Sequence, residues 1–165
     1  LKTHYRGRLV SAVKNCAPQE FGPPPPDATP EGRYNHAGLP VLYMSNDKKT
    51  VYLEKDKQNI YTAEIEALRP VRIISFLDEI HDNDVLNALI YSSLLSAPDR
   101  NKRWDRPEYI FSRFVADCVK SANLDGIRYP TTKASIGHNL VLFNKSADWS
   151  NLIRIDNIEI FNPHD

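Results

Sequence analysis

The chain has 165 residues, and its 21 lysine or arginine residues balance its 21 aspartate or glutamate residues, so the formal net charge is zero. A chain of this length predicts one domain over residues 1–165 that can bury a proper core. Because nucleic-acid binders usually carry a basic excess, the balanced charge argues against direct binding of nucleic acid.

The sequence contains no long apolar run and no secretory signal peptide, which predicts a soluble protein with no membrane segment. The chain opens with Leu1, so a trimmed terminus or an excised segment is one expectation. The two cysteines, Cys16 and Cys118, do not make a disulfide framework, and a cytoplasmic location is predicted. The five histidines show no ligand spacing, so no metal site is expected.

The first strand is predicted over residues 5–10, with Arg6 and Arg8 pointing the same way. Residues 18–30 hold four consecutive prolines, which argue against helix or central strand and favour an extended polyproline conformation. We expect this loop to cross the surface of one domain, where such loops often frame sites. A short apolar strand is predicted over residues 41–45.

Asp47 is a predicted cap for a short helix over residues 50–54. Residues 60–68 and 71–76 have the pattern of two strands, and residues 83–95 carry a helical apolar stripe. The clearest helix is predicted over residues 107–122, with Asp105 as its cap and Asn123 as a left-handed stop. On that helix we expect Cys118 to be a buried thiol beside an apolar face of Phe111, Phe114, Val115 and Val119.

Further strands are predicted over residues 127–129, 139–143 and 153–161. Strands outnumber helices and do not alternate strictly with them. The pattern therefore predicts an α+β fold with a mixed, mostly antiparallel core.

Three residues around the second strand offer a nucleotide-binding set. Arg33 supplies a cation for phosphate, Tyr43 a flat ring for a heterocycle, and Glu54 a carboxylate for a sugar hydroxyl or a developing positive charge. The sequence has no P-loop, no GxSxG elbow, no HExxH and no dinucleotide GxGxxG. Composition and spacing alone therefore leave the function open.

A set of motifs in order is more specific than any one of them. They are YRGR near the start, GRYN at 32–35, VLYMS at 41–45, TVYLE ending at Glu54, and YIFSRFVADCVKSANLDGIRYPTTKASIGHNLVLFN. Together they resemble the RES domain family, whose known members are NAD-consuming toxins, over about residues 4–144. The resemblance implies a split sheet with flanking helices, similar to the diphtheria-toxin-like ADP-ribosyltransferases, with NAD held bent in a cleft between two small sheets.

The resemblance also implies roles for particular residues. Glu54 would be catalytic and stabilise the cationic sugar. Arg6 and Arg33 would be the cleft arginines, facing the pyrophosphate or an attacking phosphate. Tyr43 would stack on the nicotinamide, with Tyr34 as a second wall.

The third signature position departs from the family pattern. Thr131 stands after Tyr129-Pro130, where the family typically has its serine. It keeps the hydroxyl and adds a methyl, and Thr132 and Ser135 are alternative replacements.

The implied activity is degradation of NAD+ by phosphorolysis or hydrolysis, as a bacterial toxin or defence effector. The alternatives are ADP-ribosyl transfer to a protein and a catalytically silent NAD-binding or regulatory module. No cofactor is implied beyond the substrate NAD+, with inorganic phosphate as a possible co-substrate. The implied partner is an antitoxin, often Xre-like, that covers the cleft. The proline loop and residues 78–106 are candidate partner surfaces, although a solvated amphipathic helix is the favoured interpretation of the latter.

Overall fold

The computed structural model describes residues 3–77, 84, 85, 87, 88, 91, 106–144, 146 and 148–163. Its centre is a seven-stranded sheet in the order β4-β5-β6-β2-β1-β3-β7. The strands are β1 (His4–Leu9), β2 (Leu42–Ser45), β3 (Ile60–Ala67), β4 (Ile73–Ser75), β5 (Gly126–Pro130), β6 (His138–Leu142) and β7 (Ile153–Ile160). Among the described residues, no helix is long and apolar enough to cross a membrane.

Neighbouring strands are antiparallel except β4 and β5, which are parallel. The predicted α+β class with a mixed, mostly antiparallel core is therefore confirmed. The expectation of a split sheet is corrected, because all seven strands form one sheet. The junction between its two parts is nevertheless narrow, since β1 and β2 pair at one register position, Tyr5 opposite Ser45.

Helix α1 (Lys48–Glu54) follows β2 directly. Asp47 caps it as predicted, because its carboxylate accepts from the backbone N–H of Thr50 at 2.8 Å and from the Thr50 hydroxyl at 2.8 Å. The predicted start was two residues late. Glu54 is the last residue of this helix, so the cap and the sheet together set the position of its carboxylate.

Helix α2 (Ile110–Ser121) follows a 3-10 turn at Pro107–Tyr109, and Asn123 has the predicted left-handed conformation with φ of 58°. The expected cap Asp105 lies outside the described residues. So does most of the predicted helix over residues 83–95, although residues 84, 85, 87, 88 and 91 are helical.

The predicted buried face of α2 was wrong in part. Cys118 is exposed, and Phe114 is 59% exposed. The buried stripe is Ser112, Arg113, Val115, Ala116 and Val119. Phe114 and Cys118 lie four residues apart on the side of the helix roughly opposite this stripe, so they face away from the sheet.

The sheet buries apolar residues on both faces because side chains alternate along each strand. Val41, just before β2, and Tyr43 on β2 face the α2 side, and Leu42 and Met44 face the opposite cluster. On β6 the α2 side receives Val141, and on β5 it receives Ile127 and Tyr129.

The proline loop crosses the surface but is not wholly extended. It forms two 3-10 turns, Pro18–Phe21 and Pro26–Ala28, whereas Pro25 between them is extended. The guanidinium of Arg8 donates to the carbonyls of Glu20 at 2.9 Å and Gly22 at 3.0 Å. These bonds hold the loop against β1.

Candidate active site

Two cavities meet beside the narrow junction of the sheet. The junction cavity, of about 280 Å³, is lined by Tyr5, Arg6, Gly7, Tyr43, Met44, Ser45, Val51, Glu54, Lys55, Tyr129 and Asn139. The loop cavity, of about 440 Å³, lies under the proline loop and is lined by Arg6, Arg8, Pro24, Ala28, Thr29, Pro30, Glu31, Gly32, Asn35, Val41 and Tyr43. Arg6 and Tyr43 line both cavities, so these two residues are common to their walls.

The carboxylate of Glu54 is held in the junction cavity by two donors. Its Oε1 accepts from the Thr131 hydroxyl at 2.6 Å and from the Asn139 amide at 2.7 Å. The described residues give Oε2 no hydrogen bond, so this oxygen can accept from a ligand. The carboxylate is therefore oriented by the protein and still available to the cavity.

Thr131 is the hydroxyl residue that reaches Glu54. It is 7% exposed, whereas Thr132 and Ser135 are exposed. Its oxygen also accepts from the backbone N–H of Lys133 at 3.1 Å, which leaves the hydroxyl proton for Glu54.

Asn139 and Ser45 were missed in the sequence. Asn139 lies opposite Ser45 on β2 and opposite Tyr129 on β5, so these three residues form a row across neighbouring strands. The hydroxyl of Ser45 donates to Oδ1 of Asn139 at 2.6 Å. The sequence signal for these two residues was weak, because each is only a polar residue near one end of an apolar strand.

Arg6 is a buried cation on the cavity wall. Its Nη1 donates to the carbonyl of Tyr43 at 2.8 Å, and its buried Nε has no partner among the described residues. Burial and the nearby Arg8 lower the pKa of Arg6 to about 9, so the guanidinium is still charged at neutral pH. No described carboxylate forms a salt bridge with it, which favours binding of an anion.

Lys55 adds a second cation that sequence reasoning missed. Burial, followed by the charges of Arg6 and Arg8, lowers the pKa of its ammonium. Lys55 follows Glu54 immediately at the end of α1, and both line the junction cavity. A lysine at the end of an exposed-looking helix carried no sequence signal for this position.

The GRYN motif is a turn that anchors the Tyr43 hydroxyl. This hydroxyl accepts from the backbone N–H of Tyr34 at 2.9 Å and donates to Oδ1 of Asn35 at 3.0 Å. Gly32 and Asn35 form a β-bridge across the turn. A Cβ on Gly32 would lie 2.4 Å from Oδ1 of Asn35 and 2.9 Å from the Tyr43 hydroxyl, so this position has room for glycine alone.

Tyr34 does not line either cavity. Its ring is fully buried and packs edge-on against Tyr129, with the ring centroids 4.9 Å apart. Besides Tyr43, the aromatic residues that line the junction cavity are Tyr5 and Tyr129, and Tyr34 packs behind Tyr129. The tyrosine after Arg33 points into the core because the turn directs it there.

Arg33 lies beside the site, outside the lining of both cavities. Its guanidinium stacks over the ring of Tyr109 at 5.0 Å, and its backbone carbonyl accepts from the Ser112 hydroxyl at 2.6 Å. The structure thus brings together Arg6, Tyr43, Glu54 and Thr131, with Arg33 at the margin. Among the described residues, no group of three or more His, Cys, Asp or Glu side chains is arranged to hold a metal ion.

Comparisons with known proteins agree with this fold. The chain matches the RES domain over residues 8–159, and therefore belongs to the RES domain family. One similar solved structure is a chain in the crystal structure of the M. tuberculosis MbcT-MbcA toxin-antitoxin complex, with a TM-score of 0.59 and 10% sequence identity. The likeness covers 98% of this chain and 85% of that chain, and at such low identity it supports the fold alone. No curated protein matches the sequence.

Proposed function

We propose that this chain is a toxin that degrades NAD+ by breaking the bond between nicotinamide and ribose. The observation that carries the proposal is the Glu54 carboxylate, which Thr131 and Asn139 orient in a cavity that also contains Arg6. Membership of the RES domain family supports the same substrate.

The chemistry needs little more than these groups. The nicotinamide of NAD+ is a pyridinium, so it leaves as a neutral molecule and requires no general acid. The transition state resembles an oxocarbenium ion, as in glycoside cleavage. The free Oε2 of Glu54 would accept from the ribose hydroxyls, and the fixed negative charge would stabilise the cationic sugar.

The other residues would bind the rest of the dinucleotide. Tyr43 and Tyr129 would form an aromatic wall for the nicotinamide. Arg6, which lines both cavities, would face the pyrophosphate or an attacking phosphate. A guanidinium suits phosphate because it can donate two parallel hydrogen bonds. Arg33 would approach the same group from the margin.

We further propose that the chain acts in the cytoplasm and is held inactive by an antitoxin of the Xre-like type that covers the cleft. The similar solved structure belongs to a toxin-antitoxin complex, which supports an antitoxin partner. Such a partner would need to exclude NAD+ from Arg6 and Glu54 to be effective.

The test is incubation of the purified protein with NAD+, with and without phosphate, and identification of the products by mass. Nicotinamide release that requires phosphate indicates phosphorolysis, and phosphate-independent ADP-ribose indicates hydrolysis. A labelled protein acceptor would indicate ADP-ribosyl transfer instead.

Glu54→Gln should lower turnover on the order of 100- to 1,000-fold, since it keeps the shape and removes the charge. Glu159→Gln is the matched control, because that carboxylate lies on β7 in an exposed pair with Lys48. No NAD+ consumption by the wild type, or full activity in Glu54→Gln, would contradict the proposal.

A further inference from the structure

Ser45 lines the junction cavity and is connected to Glu54 through Asn139. It is 4% exposed, and its hydroxyl donates to Asn139, which is 6% exposed. The side-chain amide of Asn139 in turn donates to Oε1 of Glu54 at 2.7 Å. A continuous chain of hydrogen bonds therefore runs from β2 through β6 to the end of α1.

The direction of this chain follows from donors and acceptors. An ionised carboxylate only accepts, so the NH2 group of Asn139 must face Glu54. Its oxygen then faces Ser45, whose hydroxyl must donate. If the amide rotated by 180°, two oxygens would face each other across the contact with Glu54.

We propose that Ser45 is a positioning residue that holds the amide of Asn139 with its NH2 group toward Glu54. The proposal rests on the proposed function, since it concerns the orientation of the carboxylate that would stabilise the sugar cation. Thr131 is oriented in a comparable way by the Lys133 N–H. Thr131 and Asn139, the two donors to Glu54, therefore each have a second hydrogen-bond partner that orients the donating group.

Removal of the Ser45 hydroxyl leaves the buried Oδ1 of Asn139 without its donor. The amide then loses the contact that selects its orientation, and the donor to Glu54 is no longer held. Ser45 lines the junction cavity, but its hydroxyl proton is committed to Asn139, so the loss should appear in kcat and leave KM nearly unchanged.

The first experiment measures NAD+ turnover in the wild type and five variants. Ser45→Ala should lower kcat by about tenfold, the effect of one buried hydrogen bond, and Ser45→Thr should restore kcat to within about threefold of the wild type. Ser11→Ala, an exposed serine outside both cavities, is the control. A double variant that combines Ser45→Ala with Asn139→Ala should have the same kcat as Asn139→Ala alone, because Ser45 acts through Asn139.

A structural role for Ser45 would give a different pattern: losses that add in the double variant, or lower thermal stability with unchanged kcat. Either result would overturn the proposal. A second measurement is independent of catalysis. The side-chain NH2 resonances of Asn139, assigned by their absence in Asn139→Ala, should shift in Ser45→Ala and in Glu54→Gln.

Resonances that stay unchanged in Ser45→Ala would also overturn the proposal. If the wild type consumes no NAD+, the proposed function fails, and these resonances still decide whether Ser45 orients the amide.

Discussion

The Thr131 hydroxyl provides the sharpest test of the site, because the family pattern has serine there. Thr131→Val keeps the shape of the side chain and removes the hydroxyl. Glu54 would lose a donor at 2.6 Å, and the N–H of Lys133 would lose its acceptor. A hydrogen bond to a charged group contributes about 1.5–3 kcal/mol. If that energy is expressed in the transition state, kcat should fall roughly 10- to 150-fold.

Thr131→Ser should behave differently, since it keeps the donor to Glu54. Thr131 is 7% exposed, so removal of its methyl group in the serine variant loses modest packing. We expect its kcat to stay within about threefold of the wild type and its unfolding free energy to fall by about 1 kcal/mol.

The assay is NAD+ turnover at saturating substrate, with urea unfolding of each variant to confirm that it is folded. Thr132→Val is the matched control, because this threonine is exposed one position further along the chain. A Thr131→Val protein with wild-type kcat would refute the reasoning. So would an effect of equal size in Thr132→Val.

Gly32→Ala should lower the free energy of unfolding by about 1–3 kcal/mol, because the added Cβ would lie 2.4 Å from Asn35 Oδ1 and 2.9 Å from the Tyr43 hydroxyl. Urea unfolding measures the change. An unchanged midpoint would contradict the prediction, because it would show that the turn accommodates the added Cβ. Burial, followed by the charge of Arg128, lowers the pKa of His138 below its usual 6.5, so the unfolded chain binds a proton more readily than the folded one. Stability should therefore fall as the pH drops below about 6.5, and His138→Gln should flatten that dependence, as urea unfolding at pH 7.5 and 5.5 can test. A variant with the same pH dependence as the wild type would exclude His138 as the cause.

Much of the local structure could be predicted from the sequence. Asp47 was identified as a cap from residue type alone, and it does cap the helix that ends at Glu54. The stop at Asn123 was also correct. These features depend on a few neighbouring residues, whose backbone preferences are local.

The predictions were wrong where one sequence pattern was compatible with two arrangements of the side chains. Phe114 and Cys118 share one side of the helix, and apolar character alone did not decide which side faces the sheet. The resemblance to the family implied that Tyr34 was a second wall for the nicotinamide. The turn instead places Tyr34 in the core, and Tyr129 lines the cavity.

By itself the sequence determined the alternating strands, the capped helix bearing Glu54, the glycine turn and, through motif order, the family. The tertiary structure alone decided which polar residues meet. Glu54 contacts Thr131 and Asn139 across separations of 77 and 85 residues, and Ser45 contacts Asn139 across 94. Those contacts follow from the strand order β5-β6-β2, which sets polar ends of three strands side by side. Strand order is a property of packing the whole chain, since period-two alternation specifies the face of each strand but not its neighbour.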